Sequence, residues 1–218
     1  MNPPGRGRLI ALEGIDGCGK STQARLLADS LDALLTFEPG ATQLGKAVRR
    51  LALDATLAEP VPRAEALLMA ADRAQHVDEV IRPALASGRW VVTDRYSGST
   101  LAYQGAGRGL GIDDLRPVVD WAVAGVDPDL SVLLDVAVST ARLRLAEVSP
   151  DRLEQLDDGF HERVRSGFLT VARQAGASWV VVDGSGNADD VSAEIIRAVE
   201  DRLGRPIPPP SERLLPHV

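Results

Sequence analysis

Between a short apolar run and a helical pattern, the chain carries the stretch Gly14-Ile15-Asp16-Gly17-Cys18-Gly19-Lys20-Ser21. Glycines at this spacing let the backbone curl so that successive N–H groups face inward, and the following helix adds the positive end of its dipole. Such a loop binds phosphate oxygens, while its lysine reaches the β- and γ-phosphates and its hydroxyl group is available to Mg²⁺. The stretch therefore predicts a nucleotide-binding phosphate loop, or P-loop.

Short apolar runs elsewhere in the chain predict the sheet that carries this loop. They cover residues 9–12, 34–37, 90–93, 130–134 and 179–182, and helical patterns separate them. Short buried strands that alternate with helices are typical of a parallel sheet covered on both faces. We therefore expect an α/β fold with a five-stranded parallel sheet and helices on both faces. In such folds ligands bind beyond the carboxyl ends of the strands.

The length and composition of the chain predict one domain. The chain has 218 residues, and its apolar content of 44% is enough for a sizeable core. We expect a flexible N-terminus over 1–7, a single domain over 8–203 with a short lid near 142–156, and an extended proline-rich tail over 204–218. A loop is expected over 105–111, because this stretch holds four glycines.

Net charge and cysteine content limit the classes of partner. The formal charge of −7 argues against a general attraction to nucleic acid or to anionic membranes, so a local cluster of basic residues must hold any anionic ligand. Cys18 is the single cysteine, so no intramolecular disulfide is possible, and we interpret it as a packing residue of the loop. No signal-peptide pattern or membrane-length apolar run is present. We expect a soluble, cytoplasmic protein that binds neither nucleic acid nor membranes.

The histidines give no sign of a metal site. His76, His161 and His217 are far apart and lack the spacing of metal ligands, so we interpret them as solvated or capping residues.

A second polar segment, Asp94-Arg95-Tyr96, directly follows a buried strand. A carboxylate at a strand end can hold the water shell of Mg²⁺ opposite the P-loop hydroxyl, and an adjacent arginine can bridge two phosphates. Asp-Arg pairs also occur as simple loop caps. Because parallel strands end at the same edge of the sheet, this segment is expected beside the P-loop, which favours the functional interpretation.

Two further groups have helical spacing. Met69 and Arg73 are four residues apart and share a face, and the set Ser99, Thr100, Tyr103 and Gln104 lies on another helical pattern. Spacing alone does not distinguish ligand binding from helix packing and solvation at these positions.

The chain resembles thymidylate kinases of the bacterial type, which belong to the P-loop nucleoside monophosphate kinases. The matching blocks are 13–22, 37–42, 71–73, 94–105, 128–130 and 151–154, and they follow the family's order over about residues 8–203. The block at 94–105 is the most specific for thymidylate against other nucleotides.

The resemblance implies transfer of the γ-phosphoryl group of ATP to dTMP, with Mg²⁺ as cofactor, in dTTP biosynthesis. It implies ATP binding by Gly14, Ile15, Asp16, Gly17, Cys18, Gly19, Lys20, Ser21 and Thr22. It implies metal binding by Ser21 and Asp94. It implies dTMP binding by Asp16, Glu38, Arg49, Met69, Arg73, Arg95, Ser99, Thr100, Tyr103 and Gln104. It implies catalytic roles for Lys20, Asp16, Arg95 and a lid arginine, with Arg152 favoured over Arg144.

Particular roles also follow from the resemblance. Arg49 and Arg95 would hold the dTMP phosphate, and Asp16 and Glu38 would lie near its sugar and phosphate. The thymine would be read by Arg73, Thr100 and Gln104, and Tyr103 would lie near the deoxyribose, where the family leaves no room for a 2′-hydroxyl. A homodimer is implied as well.

The sequence departs from the family pattern at three places. Phe37 stands where many members have Arg, and Met69 stands where many have a Phe that stacks on thymine. Met can cover an aromatic face through its polarizable sulfur, but less rigidly, so we expect a looser base site. The P-loop has Gly17 where some members have a catalytic Arg. In members without that Arg the lid supplies it, and the lid candidates are Arg142, Arg144 and Arg152.

Two other functions remain open at this point. The chain could be a P-loop kinase for a different nucleoside or nucleotide, a reading that the block 103–105 together with Arg73 disfavours. It could also be a non-catalytic, ATP-binding regulatory protein whose acceptor site has decayed. The presence of Lys20, Ser21 and Asp94 argues against that alternative.

Overall fold

The computed structural model describes residues 6–146 and 150–204, and within them it contains one parallel sheet. The strands are β1 Leu9–Glu13, β2 Leu34–Phe37, β3 Val91–Asp94, β4 Leu130–Asp135 and β5 Trp179–Asp183. They pair in parallel in the order β2-β3-β1-β4-β5. The predicted fold is confirmed. Residues 1–5, 147–149 and 205–218 lie outside the described residues, and with them most of the predicted N-terminus and tail and part of the predicted lid.

Helices connect the strands. Their bounds are α1 Lys20–Leu31, α2 Gln43–Leu53, α3 Pro62–His76, α4 Arg82–Ala86, α5 Ser97–Thr100, α6 Ile112–Val123, α7 Val138–Leu145, α8 Asp158–Ala175 and α9 Ala188–Leu203. A π-helical segment, Val77–Ile81, joins α3 to α4, and a second one, Leu101–Gly107, continues α5. None of the helices in the described ranges is long and apolar enough to cross a membrane.

The loop predicted over 105–111 is shorter than expected, because the helix continues through Gly107. Gly107 in this stretch serves close packing against α8 rather than a turn. A Cβ atom on Gly107 would lie 2.7 Å from Phe160 Cε2, and one on the facing Gly167 would lie 2.6 Å from Ala106 Cβ. Composition alone misplaced the end of the helix, since a glycine that permits a turn also permits close approach of two helices.

The core forms because β1 and its neighbours are buried on both faces. Leu9, Ile10 and Leu12 are completely buried, and they pack with side chains from the helices on either side of the sheet. Such two-sided burial requires continuous apolar runs rather than alternating ones. The continuous apolar run of β1 is therefore typical of a strand in the centre of the sheet.

The strand register brings the predicted site segments to one edge. Leu12 at the end of β1 pairs with Asp94 at the end of β3, and Asp94 also pairs with Phe37 at the end of β2. The P-loop after β1, the segment at Glu38 after β2 and the segment at Arg95 after β3 therefore begin side by side at the carboxyl edge.

Candidate active site

The P-loop is held tightly against its neighbours. Gly14, Gly17 and Gly19 have φ values of +143°, +79° and +97°, which side-chain-bearing residues rarely adopt. A Cβ atom on Gly17 would collide with the carbonyl of Ala141 in α7. An arginine at position 17 would therefore require α7 to move.

The P-loop lysine is folded over the loop. Lys20 is buried, and its Nζ donates to the Ile15 carbonyl at 2.9 Å. Cys18 is also buried, and burial raises the pKa of its thiol, in agreement with a packing role.

A hydroxyl and a carboxylate meet at the start of α1. Ser21 Oγ donates to Asp94 Oδ2 at 2.5 Å. Among the described residues, Asp94 Oδ1 is buried and has no hydrogen-bond partner. Hydroxyl and carboxylate oxygens are ligands that Mg²⁺ accepts, directly or through its water shell. The buried Asp94 Oδ1, which has no partner among the described residues, is therefore suited to the Mg²⁺ implied for this site.

Asp16 and Arg95 form an ion pair next to Tyr103. Arg95 Nη2 bonds Asp16 Oδ1, and Tyr103 Oη donates to Asp16 Oδ2 at 2.6 Å. The Arg95 guanidinium also stacks on the Tyr103 ring at 5.0 Å. Burial alone would raise the pKa of Asp16, but the positive charges of Arg95 and Lys20 outweigh it and lower the pKa to about 2. Asp16 is therefore an anion at neutral pH.

Glu13, at the end of β1, is bonded to the segment that follows Arg95, a role that the sequence reasoning did not assign to it. Its completely buried carboxylate accepts from the N–H groups of Tyr96 and Ser99, at 3.1 and 3.2 Å, and from Ser99 Oγ at 2.6 Å. Burial raises its pKa. These bonds hold the turn that presents Arg95, whose φ of +74° is unusual for a residue with a side chain. The available signal was a charged residue at the end of a fully apolar strand.

Arg73 is buried in a network of charged and polar groups. Its Nε donates to Glu38 Oε2 at 2.9 Å, its Nη1 to Thr100 Oγ1 at 2.9 Å, and its Nη2 to the Tyr96 carbonyl at 2.8 Å. Every one of these partners lies on a different segment from Arg73. The guanidinium is thereby fixed in one orientation.

His76 contradicts the expectation that the histidines are solvated or capping residues. It is completely buried, and its ring nitrogens contact Glu38 Oε1 at 2.9 Å and Thr36 Oγ1 at 2.7 Å. The prediction was wrong because these partners are about forty positions away in sequence. His161 is buried as well, and burial lowers its pKa, while His217 lies outside the described residues.

The residues implied for dTMP surround one cavity, named here the Arg73 cavity. All ten of them line it, and it is also lined by Pro39, Leu53, Asp72, Asp151, Leu153 and Glu154. A second cavity, the P-loop cavity, is lined by Lys20, Ser21, Thr22 and Asp94 among others. The two cavities share a wall made of Asp16, Glu38, Arg49, Arg95 and Glu154.

Asp72 is a second residue that the sequence reasoning missed. Its Oδ1 accepts from the Gly40 N–H at 3.0 Å, whereas its Oδ2 is buried without a partner among the described residues. Burial and the nearby Glu38 carboxylate raise the pKa of Asp72 to about 6. Asp72 therefore carries a poorly compensated charge at the edge of the Arg73 cavity.

The three arginines of the predicted lid have different surroundings in the structure. Arg144 lines the P-loop cavity and donates to the carbonyls of Gly184 and Ser185 at 2.9 and 3.1 Å. Arg142 pairs with Asp158 on α8.

Arg152 is held away from both cavities. It is buried at the end of α2, where its Nη2 donates to the carbonyls of Asp54 and Leu57, the latter at 2.7 Å. It does not line the P-loop cavity or the Arg73 cavity. A catalytic role for either Arg144 or Arg152 stays a prediction.

Comparison with known proteins identifies the family of this chain. The thymidylate kinase family model matches residues 12–195. A thymidylate kinase of Chromobacterium violaceum is 45% identical over 92% of this chain and 97% of its own length. One from Prochlorococcus marinus (strain MIT 9303) is 45% identical over 91% of this chain and 96% of its own. One from Clavibacter sepedonicus is 46% identical over 87% and 92%. The chain belongs to the thymidylate kinase family.

Proposed function

We propose that this chain transfers the γ-phosphoryl group of ATP to dTMP, producing dTDP and ADP for the supply of dTTP. One observation carries the proposal: the P-loop cavity and the Arg73 cavity meet at a shared wall that contains Asp16, Arg49 and Arg95. A donor phosphate at the P-loop and an acceptor phosphate in the Arg73 cavity would face each other there. In-line transfer needs this kind of mutual alignment.

The charges at the shared wall suit two phosphate groups. Lys20 and the P-loop N–H groups would bind the donor phosphates, and Arg49 and Arg95 would bind the acceptor phosphate. Guanidinium groups match phosphate oxygens in bidentate contacts. Because the attacking atom is already a phosphate oxygen, no strong general base is required. Catalysis then rests on alignment and on neutralising the repulsion between two anions.

Asp16 would position Arg95 rather than move a proton. Its lowered pKa keeps it anionic at neutral pH, and it contacts both Arg95 and Tyr103. Arg95 is thereby held at the shared wall before the acceptor arrives.

Mg²⁺ is part of the proposal. Ser21 and Asp94 would hold it, and the orphaned Asp94 Oδ1 supports this assignment. When bound, the ion would offset the negative charge of the phosphate groups.

The acceptor base would lie between Arg73, Thr100 and Gln104, with Met69 against its face. Tyr103 would lie beside the sugar. The fixed orientation of Arg73 supports this part of the proposal, because a guanidinium without freedom to turn recognises one edge geometry.

The lid is proposed over residues 142–156 of a single domain, with Arg144 or Arg152 stabilising the transferring charge. The position of Arg144 in the P-loop cavity supports the first choice, while Arg152 would have to leave the carbonyls at the end of α2. Changing Arg142, Arg144 and Arg152 to Ala one at a time tests this. Less than a tenfold loss of kcat in all three variants would remove the lid arginine from the mechanism.

A homodimer in the cytoplasm is also proposed. Large apolar side chains are exposed on three helices that pack side by side, namely Leu44 and Leu51 on α2, Leu67 on α3 and Trp121 on α6, the last 81% exposed. Light scattering of the purified protein tests the dimer. The buried, free Cys18 is compatible with a reducing compartment.

A coupled assay of ADP release tests the main proposal. With ATP and Mg²⁺ present, we expect rapid turnover of dTMP, slower turnover of dUMP, and little with dCMP or AMP. Turnover of AMP without turnover of dTMP would overturn the proposal.

A further inference from the structure

The buried carboxylate of Glu65 is connected to the Arg73 cavity through the side chain of Gln104. Glu65 on α3 is completely buried and does not line the cavity. Its Oε1 accepts from Gln104 Nε2 at 2.8 Å, and its Oε2 accepts from Arg108 Nη2 at 2.8 Å. Arg108 also pairs with Glu59, whose side chain is exposed, at 2.9 Å. Glu65 is thus linked to the site by Gln104 and to the surface by Arg108.

The chemistry of Glu65 determines which end of the Gln104 amide points toward it. A carboxylate that is ion-paired with Arg108 can only accept hydrogen bonds. The amide must therefore turn its NH₂ group toward Glu65, and its oxygen must point elsewhere. No hydrogen bond from the described residues reaches Gln104 Oε1, and Gln104 lines the Arg73 cavity. The free group that Gln104 offers a ligand is an acceptor.

Arg73, which lines the same cavity, offers groups of opposite character. Arg73 carries only donors, and its Nη1 already donates to Thr100 Oγ1 at 2.9 Å, which leaves one further Nη1 hydrogen. A donor from Arg73 beside an acceptor from Gln104 matches a base edge with a carbonyl oxygen next to a ring N–H. The cytosine edge presents an amino donor and a bare ring nitrogen, so both contacts would be mismatched.

We propose that Glu65 is a positioning residue that fixes the orientation of the Gln104 amide and thereby makes the site select an imide base edge, N3–H beside C4=O, over an amino-pyrimidine edge. This role rests on dTMP being the acceptor, as proposed above. Without Glu65, a glutamine amide turns over readily and presents either end to the base. Selectivity against dCMP then depends on the carboxylate although it never touches the base.

Replacing Glu65 with Gln tests the role of the carboxylate. A glutamine at this position offers either an oxygen or an NH₂ group, so the Gln104 amide loses its forced orientation. In the wild-type protein, dCMP would leave buried polar groups unpaired, which is costly. In Glu65→Gln the Gln104 amide can turn and pair with cytosine, so this cost falls. We therefore expect the ratio of kcat/KM for dTMP to that for dCMP to fall at least about tenfold. The dTMP-to-dUMP ratio should change less than about twofold, because both bases have the imide edge.

Glu59→Gln is the matched control. Like Glu65→Gln, this variant removes one carboxylate partner of Arg108, but it leaves the hydrogen bond between Gln104 and Glu65 in place. Both ratios should stay at the wild-type value in this variant. A purely structural role of Glu65 would lower the rates with dTMP, dUMP and dCMP together and leave their ratios unchanged, which would overturn the inference.

The wild-type protein separates the two proposals. If it does not phosphorylate dTMP, the proposed function fails whatever the variants do. If it does and Glu65→Gln keeps the wild-type dTMP-to-dCMP ratio, only the role of Glu65 fails. Should Glu65→Gln not fold, calorimetric binding of dUMP and dCMP to the wild-type protein decides. Binding of dUMP at least about tenfold tighter supports the fixed amide, and equal binding overturns it.

Discussion

Replacing Asp72 with Asn should stabilise the protein more at alkaline than at acidic pH. The Asp72 carboxylate is buried, one of its oxygens has no partner in the described part of the chain, and it faces Glu38, His76 and Arg73. Its pKa is raised from 3.8 to about 6. Asn keeps an oxygen for the Gly40 N–H but carries no charge.

The sign and size follow from proton linkage. Because the folded state holds the Asp72 proton more tightly than the unfolded state, the free energy of unfolding falls as pH rises from about 4 to about 6. A rise in pKa from 3.8 to about 6 corresponds to about 3 kcal/mol of lost stability once both states are ionised. About half of that loss is already present at pH 5, so about 1.5 kcal/mol should appear between pH 5 and pH 8.

Urea unfolding followed by circular dichroism at pH 5 and pH 8 measures this difference. The variant leaves its amide NH₂ group without a partner, but that cost is the same at both pH values and cancels. Asp78→Asn is the control, since the Asp78 side chain is 71% exposed and pairs with Arg82 one turn away. If the stability gain of Asp72→Asn over wild type differs by less than about 0.5 kcal/mol between the two pH values, the linkage reasoning is refuted.

Three further predictions concern the proposed site. Tyr103→Phe removes the hydroxyl that donates to Asp16 and should lower the free energy of unfolding by about 1.5 to 3 kcal/mol in urea titration, whereas an unchanged midpoint would contradict the contact. Met69→Phe should lower the KM for dTMP about three- to tenfold through aromatic stacking, and a sharp gain of dTMP affinity in Met69→Leu instead would argue against any stacking role. Asp94→Asn should raise the MgCl₂ concentration for half-maximal rate at least about tenfold, and an unchanged Mg²⁺ dependence would exclude Asp94 from the metal site.

The P-loop and the sheet could be predicted because their causes are local. A phosphate loop needs glycines, a lysine and a hydroxyl at fixed spacing, and buried parallel strands need continuous apolar runs. The edge at which ligands bind follows from strand direction alone. For the same reason Asp94 and Arg95 could be assigned to the P-loop edge before any contact was seen.

The residues of the Arg73 cavity were predicted from the resemblance to the family. Their spacing in the sequence was not enough to predict them. The pattern of Arg73, Thr100 and Gln104 fits helix packing as well as binding, since helical spacing reports only a shared face. The structure brings all three to one cavity, with Arg73 Nη1 within 2.9 Å of Thr100 Oγ1.

The sequence by itself determined which polar segment follows each strand: a phosphate loop after β1, an acidic residue after β2, and an Asp-Arg pair after β3. Only the tertiary structure decided which charges are paired and which are not. Glu13, Glu65, Asp72 and His76 all look ordinary in sequence, yet each is buried against a residue or backbone group at least thirty positions away. Burial and pairing depend on distances across the folded chain, and no local pattern encodes those distances.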